Sequence, residues 1–275
     1  MPDATRSLAG ADSAELDALL ARHGLAGAYA RGHLAAYGLA SGGVQAWAGP
    51  ATPPFRGALV GRGDIAWVVW DSAEAVPAVA ACLARQPFQI LSGPASVVAP
   101  VLNRLTAQAA AGADHCPFAV LKPSRAHLPA GPARRATPED MEALIDFYSY
   151  GFYSLTYLPT RAAWRARLTE QLTYRTMFIV EQDDRIVAAA QSSAETPLCA
   201  MVGGVATLPD YRNRGLSGIC VGALCRALFA AGRQEIGLFY MPGNTPAARV
   251  YNRLGFHIAG EWWLARLQPG ADMGL

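Results

Sequence analysis

Arg212-Asn213-Arg214-Gly215-Leu216-Ser217-Gly218 sets two guanidinium groups, two glycines and a hydroxyl side by side at the start of a helical pattern. Leu216, Ile219, Cys220, Ala223, Leu224, Ala227 and Leu228 follow at the spacing of one buried helix face. The first turn of a helix carries backbone N–H groups without intrahelical acceptors and a partial positive charge. A turn of this composition can therefore cradle a phosphate or pyrophosphate. Gly215 permits close backbone approach, and Ser217 and Gly218 keep bulk off the mouth. Immediately upstream, Val205-Ala206-Thr207 closes an apolar strand that leads into the turn.

A second constellation lies further on, at Asn244-Thr245-Pro246 and Tyr251, Gly255 and Phe256. Thr245 as N-cap with Pro246 at the first helical position starts a helix, and Gly255 ends it. Between the two constellations, Gly232 stops the first helix and Ile236 to Met241 reads as a short buried strand. Asn244 either shapes the turn before that second helix or offers its side chain to a ligand.

Together these segments resemble the GNAT superfamily of acetyl-CoA-dependent N-acetyltransferases. That family's pyrophosphate motif, Arg/Gln-x-x-Gly-x-Gly/Ala, is matched by Arg212, Gly215 and Ser217, with Ser in place of the final Gly or Ala. Its second signature is matched by Asn244, Tyr251, Gly255 and Phe256. The resemblance implies acetyl-CoA as cosubstrate, no metal, and direct attack by a primary amine in a ternary complex. It implies a cofactor-binding set of Val205, Ala206, Thr207, Arg212, Asn213, Arg214, Gly215, Leu216, Ser217, Gly218 and Asn244, with Asn244 on the pantetheine arm.

Such a transfer needs the thioester carbonyl polarised, the ammonium deprotonated and the leaving thiolate protonated. In the family the first falls to backbone N–H groups of the strand before the turn, which makes Val205 or a neighbour the donor here. A thiol of pKa about 8.5 can take a proton back from a phenol, and Tyr251 stands where the family places that acid. Tyr251 also shares an apolar helix face with Val250 and Leu254, so packing is its competing role. An amine of pKa about 10 must lose a proton before attack. Many family members use a Glu on the strand before the turn, but Leu198 to Val205 contains no acid. Glu195, just upstream, is the nearest candidate base; a water chain or a residue from the first half is the alternative. His257 directly follows the second motif, where a lone His is more often surface or core. Phe147, Tyr148, Tyr150, Phe152, Tyr153 and Tyr157 fall where the family's substrate-facing helix and loop lie, and serve either an acceptor pocket or the core.

The elements that must position these groups follow from the pattern. From Arg134 onward the order is strand, two helices, hairpin, strand, helix, strand, helix, strand. The first helix opens at Thr137-Pro138-Glu139-Asp140 with capping-box spacing, and the second covers Thr160 to Leu172. Met177–Glu181 and Ile186–Gln191 form the hairpin, and Leu198–Ala206 is the next strand. Trp262, Trp263 and Leu264 belong to the last. Residues 122–135 are Pro-rich, basic and non-periodic, and read as a linker.

The first half parallels this order without visible sequence repetition. Helices at Ser13–His23 and on to Tyr37 precede a hairpin of Ala58–Gly61 and Ile65–Trp70. A helix at Ala73–Ala84, a strand at Phe88–Leu91, a helix at Ala95–Ala111 and a strand at Phe118–Leu121 follow. Gly93-Pro94-Ala95 occupies a strand-to-helix turn, but without Arg or a further glycine it is at most a vestigial phosphate turn. The expectation is a mixed α/β protein with an α+β mixed sheet. Residues 1–130 form a degenerate GNAT-like accessory domain and residues 131–275 the N-acetyltransferase domain, as in tandem GNAT proteins.

At 275 residues, 52% hydrophobic and 16% charged, the composition is that of a globular chain. A net charge of +2 gives no reason to expect nucleic acid or a membrane surface as partner. Lys122 is the single Lys, which excludes a lysine nucleophile elsewhere. Cys82, Cys116, Cys199, Cys220 and Cys225 are odd in number and lack metal-ligand spacing. With no basic leader or apolar run of ~20 residues, a cytoplasmic protein with reduced thiols is expected. The expected partner is a small-molecule or N-terminal amine, with a homodimer left open. The competing functions are a non-catalytic acyl-CoA-binding or regulatory protein, suggested by the missing strand carboxylate, and an acyltransferase with another acyl donor.

Overall fold

The computed structural model describes residues 5–39, 43–105, 110–150 and 160–268. In chain order its elements are β1 (Arg6–Ser7), α1 (Ser13–Arg22), α2 (Gly24–Tyr37), β2 (Val44–Gly49), β3 (Gly57–Arg62), β4 (Ile65–Trp70), α3 (Val76–Ala84), β5 (Ile90–Pro94), α4 (Ala95–Leu102) and β6 (Ala110–Leu121). Then follow β7 (Arg134–Arg135), α5 (Met141–Tyr148), α6 (Arg161–Tyr174), β8 (Met177–Gln182), β9 (Arg185–Glu195), β10 (Cys199–Thr207), α7 (Leu216–Ala230), β11 (Glu235–Phe239), α8 (Thr245–Arg253) and β12 (His257–Leu267). The chain divides into two compact units. One comprises Met1–Ala119, Phe239–Asn244 and Ile258–Leu275, the other Val120–Leu238 and Thr245–His257.

In the first unit the strands run in the order β1-β2-β3-β4-β5-β12-β6. β2, β3 and β4 pair antiparallel, β4 and β5 parallel, and β5 and β12 antiparallel. Alternate residues of β3 and β4 enter two different cores. Leu59, Ala66 and Val68 pack with Val76, Val79 and Leu83 of α3 and Val98 and Val101 of α4. Val60, Trp67 and Val69 pack with Leu16, Leu19 and Leu20 of α1 and Ala30 and Leu34 of α2. Burial on both faces explains why these strands read as continuous apolar runs.

In the second unit the order is β11-β10-β9-β8-β7, antiparallel throughout except for the β10–β11 pair. Leu144, Ile145 and Tyr148 of α5, Trp164 and Leu168 of α6, and Leu216, Cys220, Val221 and Leu224 of α7 are buried. These are the apolar stripes that the helical periodicity marks out.

The expected cut at 130/131 does not coincide with the compact units. Contacts are the reason. The Pro-rich 122–135 stretch is laid on the second unit, where His127 N donates to Leu254 O at 3.0 Å and Arg226 Nη1 donates to Pro129 O at 2.8 Å. At the other end β12 registers along β5, Trp262 opposite Pro94 through Arg266 opposite Ile90, so the last strand joins the first unit.

Individual elements also differ from the expectation. The helix expected over Ala95–Ala111 stops at Leu102, with Pro100 inside it, and the chain is already β6 at Ala110. Alanine favours helix, but strand pairing decides here, as tertiary context commonly does. The strand expected at Phe88 begins at Ile90. β2 has no counterpart in the sequence reading, because its Val-Gln-Ala-Trp-Ala-Gly pattern alternates with weakly apolar residues.

Candidate active site

β10 delivers the chain to the turn and also separates from its neighbour. Its parallel pairing with β11 covers only Cys199–Glu235, Ala200–Ile236 and Met201–Gly237. β10 continues to Thr207, so among the described residues its later part has no strand partner on that side. The antiparallel register with β9 shifts twice, between Met201 and Val202 and between Gly203 and Ala206. Gly204 and Val205 lie in the second shift, a bulge in which Gly204 adopts φ +59°. Such irregularities re-aim the backbone, and here they do so at the expected carbonyl-polarising position.

After β10 a short 3-10 turn at Pro209–Tyr211 leads to the candidate cradle. Asn213 takes φ +61° and Gly215 φ +76°, and Gly215 is the N-cap of α7 without a side-chain cap. A Cβ at Gly215 would meet open space, so the constraint there is the left-handed backbone. Among the described residues, the first α7 amide with a protein acceptor is that of Ile219, which donates to Gly215 O at 3.1 Å. The amides of Leu216, Ser217 and Gly218 have none among those residues. This is a concave set of donors at the positive end of a 15-residue helix.

Two cations frame the turn. Arg212 Nε donates to Thr207 O at 3.3 Å, and Arg214 Nη2 donates to Asp210 O at 3.0 Å while its guanidinium lies 5.1 Å from the Tyr211 ring centre. Both are exposed, so their charge is available to an anion. Open amides, left-handed glycine and flanking guanidinium groups together fit a pyrophosphate, the group by which acetyl-CoA would be held.

α8 is set against the same turn. A Cβ at Gly218 would lie 3.8 Å from Val250 Cγ1, which puts the first turn of α7 beside α8. Tyr251, the next residue, is 8% exposed, with its ring edge-on to Phe256 at 5.8 Å. Thr245 lies within the first turn of α8 rather than before it. Asn244 falls in the other compact unit, and its amide donates to Met241 O at 3.1 Å.

Glu195 is not brought to this turn. It sits opposite Ala200 near the start of β10. Ala200 and Thr207 are seven residue steps apart, about 23 Å of strand at ~3.3 Å per residue. Its Oε1 accepts from Ser192 Oγ at 2.6 Å and from Thr176 N at 2.9 Å, and Oε2 pairs with Arg233 at 3.0 Å. These bonds make Glu195 a strut at the far end of the sheet. His257 opens β12, with Nδ1 buried and unpartnered among the described residues.

Of the aromatic set, Tyr148 is buried, stacks on Trp164 at 5.9 Å, and donates through its hydroxyl to Gly204 O at 3.4 Å. Burial raises its pKa far above that of an ordinary phenol, so it remains neutral. Phe147 is buried and Tyr150 exposed; Phe152, Tyr153 and Tyr157 lie outside the described residues. Sequence reasoning passed over Gln191, whose side chain lies against the Gly204 bulge. No metal-binding cluster occurs among the described residues, and no described helix is long and apolar enough to cross a membrane. The five cysteines are buried and free.

The turn, the separated strands and the following helix define a GNAT-type acyltransferase fold. Residues 139–256 match the Acetyltransferase (GNAT) family, and this stretch is a GNAT acetyltransferase domain. The chain is 37% identical over 67 residues to a mycothiol acetyltransferase of Corynebacterium aurimucosum, a match spanning 24% of this chain and 22% of that relative. In fold it is similar to a tandem GNAT protein from the clavulanic acid biosynthesis pathway, with a TM-score of 0.65 and 12% identity over 97% of this chain and 98% of that one. A GNAT-family acetyltransferase from Colwellia psychrerythraea is alike at TM-score 0.65 and 11% identity, over 96% and 99% of the two chains. A Drosophila protein of solved structure reaches 0.69 at 16% identity, over 98% and 100%. These likenesses extend the GNAT arrangement to nearly the whole chain.

Proposed function

We propose that the protein is an acetyl-CoA-dependent N-acetyltransferase that moves an acetyl group to a primary amine by direct attack in a ternary complex. The observation that carries this reading is the left-handed Gly215 turn, with the open amides of Leu216, Ser217 and Gly218 between Arg212 and Arg214. Acetyl-CoA supplies the acyl group as a thioester when bound.

The chain's own residues then have distinct tasks. Arg212, Asn213, Arg214, Gly215 and the first amides of α7 bind the pyrophosphate. The open edge of β10 at Val205 and Thr207 offers N–H groups along the slot, that of Val205 polarising the carbonyl, while the Ala206 N–H faces β9. As the nitrogen–carbon bond forms and the carbon–sulfur bond breaks, Tyr251 delivers a proton at the sulfur and regains one from solvent. The proton the ammonium loses before attack and the one lost as the amide forms both pass to solvent, since Glu195 is tied to Arg233 away from the turn. The acceptor is a small-molecule or N-terminal amine.

Gly215→Glu tests the reading. It sets a side chain on a left-handed backbone and a negative charge where the pyrophosphate binds. Wild type is expected to gain melting temperature with acetyl-CoA and to release coenzyme A with at least one member of a primary-amine panel. The variant should lose both responses while its ligand-free melting temperature changes far less. An equal thermal response in the variant would remove the turn from the binding site.

A further inference from the structure

The carboxamide of Gln191 is an unspent polar group beside the reacting centre proposed above. Gln191 is 7% exposed, and its Oε1 is buried with no hydrogen-bond partner among the described residues. A buried amide oxygen left without a donor is unfavourable, so a group that supplies one is favoured. The side chain lies on the Gly204 bulge: a Cβ at position 204 would stand 2.6 Å from its Cγ and from its Nε2. Gly204 is left-handed and its carbonyl accepts from Tyr148 at 3.4 Å, so the bulge is held from two directions.

The neighbouring residue is Val205, the proposed polariser of the thioester carbonyl. A nucleophile must reach within about 3–3.5 Å of that carbonyl carbon, so the attacking nitrogen arrives next to the bulge. An amine brings N–H donors, and Gln191 Oε1 is an acceptor without one. β10 carries no acid to play that part.

Resting on the acetyltransferase reading, we infer that Gln191 is a positioning residue that accepts a hydrogen bond from the acceptor amine and orients it toward the carbonyl. A neutral carboxamide takes no proton at physiological pH. The site therefore selects acceptors through an N–H donor and leaves deprotonation to solvent. Atoms and charge balance as in the transfer step: Gln191 gains and loses a hydrogen bond only.

The experiment uses full-length Gln191→Leu and Gln191→Glu. Leu removes the acceptor at nearly constant volume, and Glu restores an acceptor oxygen. Steady-state rates are measured with the primary amine that gives most coenzyme A release in wild type, and acetyl-CoA affinity by calorimetry. For Gln191→Leu, KM for the amine should rise about tenfold or more while acetyl-CoA affinity stays within twofold. Gln191→Glu should recover most of the loss. If Gln191→Leu lowers acetyl-CoA affinity and leaves amine KM unchanged, the donor is the cofactor's own amide and the inference is overturned. Unchanged kinetics overturns it too, as does a loss that Glu fails to rescue, which marks a purely structural role. If wild type releases no coenzyme A with any amine, the acetyltransferase reading fails, and this inference falls with it.

Discussion

Tyr251 is the residue on which the proposed chemistry rests most heavily. It is nearly buried, beside Val250, and its ring meets the edge of Phe256. Tyr251→Phe keeps that ring, so the variant is expected to fold and to bind acetyl-CoA nearly as wild type does. It lacks the proton for the leaving thiolate. General acid catalysis contributes about 10²–10⁴-fold, so kcat should fall by that order with acetyl-CoA affinity retained. Near-wild-type turnover, with chemistry shown to limit the rate, would reduce Tyr251 to a packing residue. Loss of cofactor affinity would make its role structural. Tyr251 was legible in the sequence because a short helix and a Gly-Phe ending fix its place. Gln191 was not. Its relevance depends on a register shift between β9 and β10, which belongs to pairing rather than to either strand's residues. Glu195 misled for the same reason: nearness in sequence to β10 put it at the wrong end of that strand.

At the scale of elements, both units open with the same device. Arg6 grips Asp12 and Arg134 grips Asp140, each through Nη2 to Oδ1 at 2.6 Å. In each, the Asp also accepts a backbone N–H three residues back, from Ala9 at 2.9 Å and from Thr137 at 2.8 Å. The Arg-x5-Asp spacing recurs at 6–12 and 134–140, a repeat too short to see without the structure. The Arg134 guanidinium, a backbone amide and the Thr137 hydroxyl hold the Asp140 carboxyl below the usual carboxylate range. A lowered folded pKa means that this stability is complete above the unfolded value of about 3.9 and is lost as pH falls through the folded one. Asp140→Asn should therefore cost about 1–2 kcal/mol near pH 7, in line with other helix-start caps. Chemical denaturation across pH checks this. The gap between wild type and variant should close below about pH 4, and a gap that persists in acid would assign the loss to packing. Elements with long apolar stripes, such as α7 and the β3–β4 hairpin, were readable from sequence. The extent of α4 was not, because the Ala-rich sequence after it has high helix propensity, whereas Ala110 already stands in β6.

At the scale of the whole molecule, the repeated order of elements changes which turn corresponds to which. In the second unit the cradle follows β10, the strand paired parallel with β11. Its counterpart in the first unit follows β4, paired parallel with β5 at Ile65–Ile90 and Ala66–Leu91. That turn is Asp71-Ser72-Ala73-Glu74-Ala75, not Gly93-Pro94-Ala95, which ends β5 and so matches the step before α8. The sequence offered Gly93-Pro94-Ala95 only as a vestigial phosphate turn; by strand pairing the counterpart is a turn without glycine or arginine. Its chemistry is opposite to that of the cradle. Asp71 pairs with Arg22 at 2.7 Å, and Ser72 Oγ donates to Glu74 at 2.9 Å, so two carboxylates stand before α3. Acids at a helix start occupy the place that an anion would take and repel it. Trp70, the last residue of β4, donates from Nε1 to Val97 O at 3.1 Å, tying the strand to α4 where β4 and β5 are no longer paired. One acetyl-CoA per chain is therefore expected in titration calorimetry. Gly215→Glu should reduce that stoichiometry to none, since no second site remains to bind. A wild-type value of two, or a residual site in Gly215→Glu, would show that the first unit binds cofactor despite Asp71, Glu74 and Trp70.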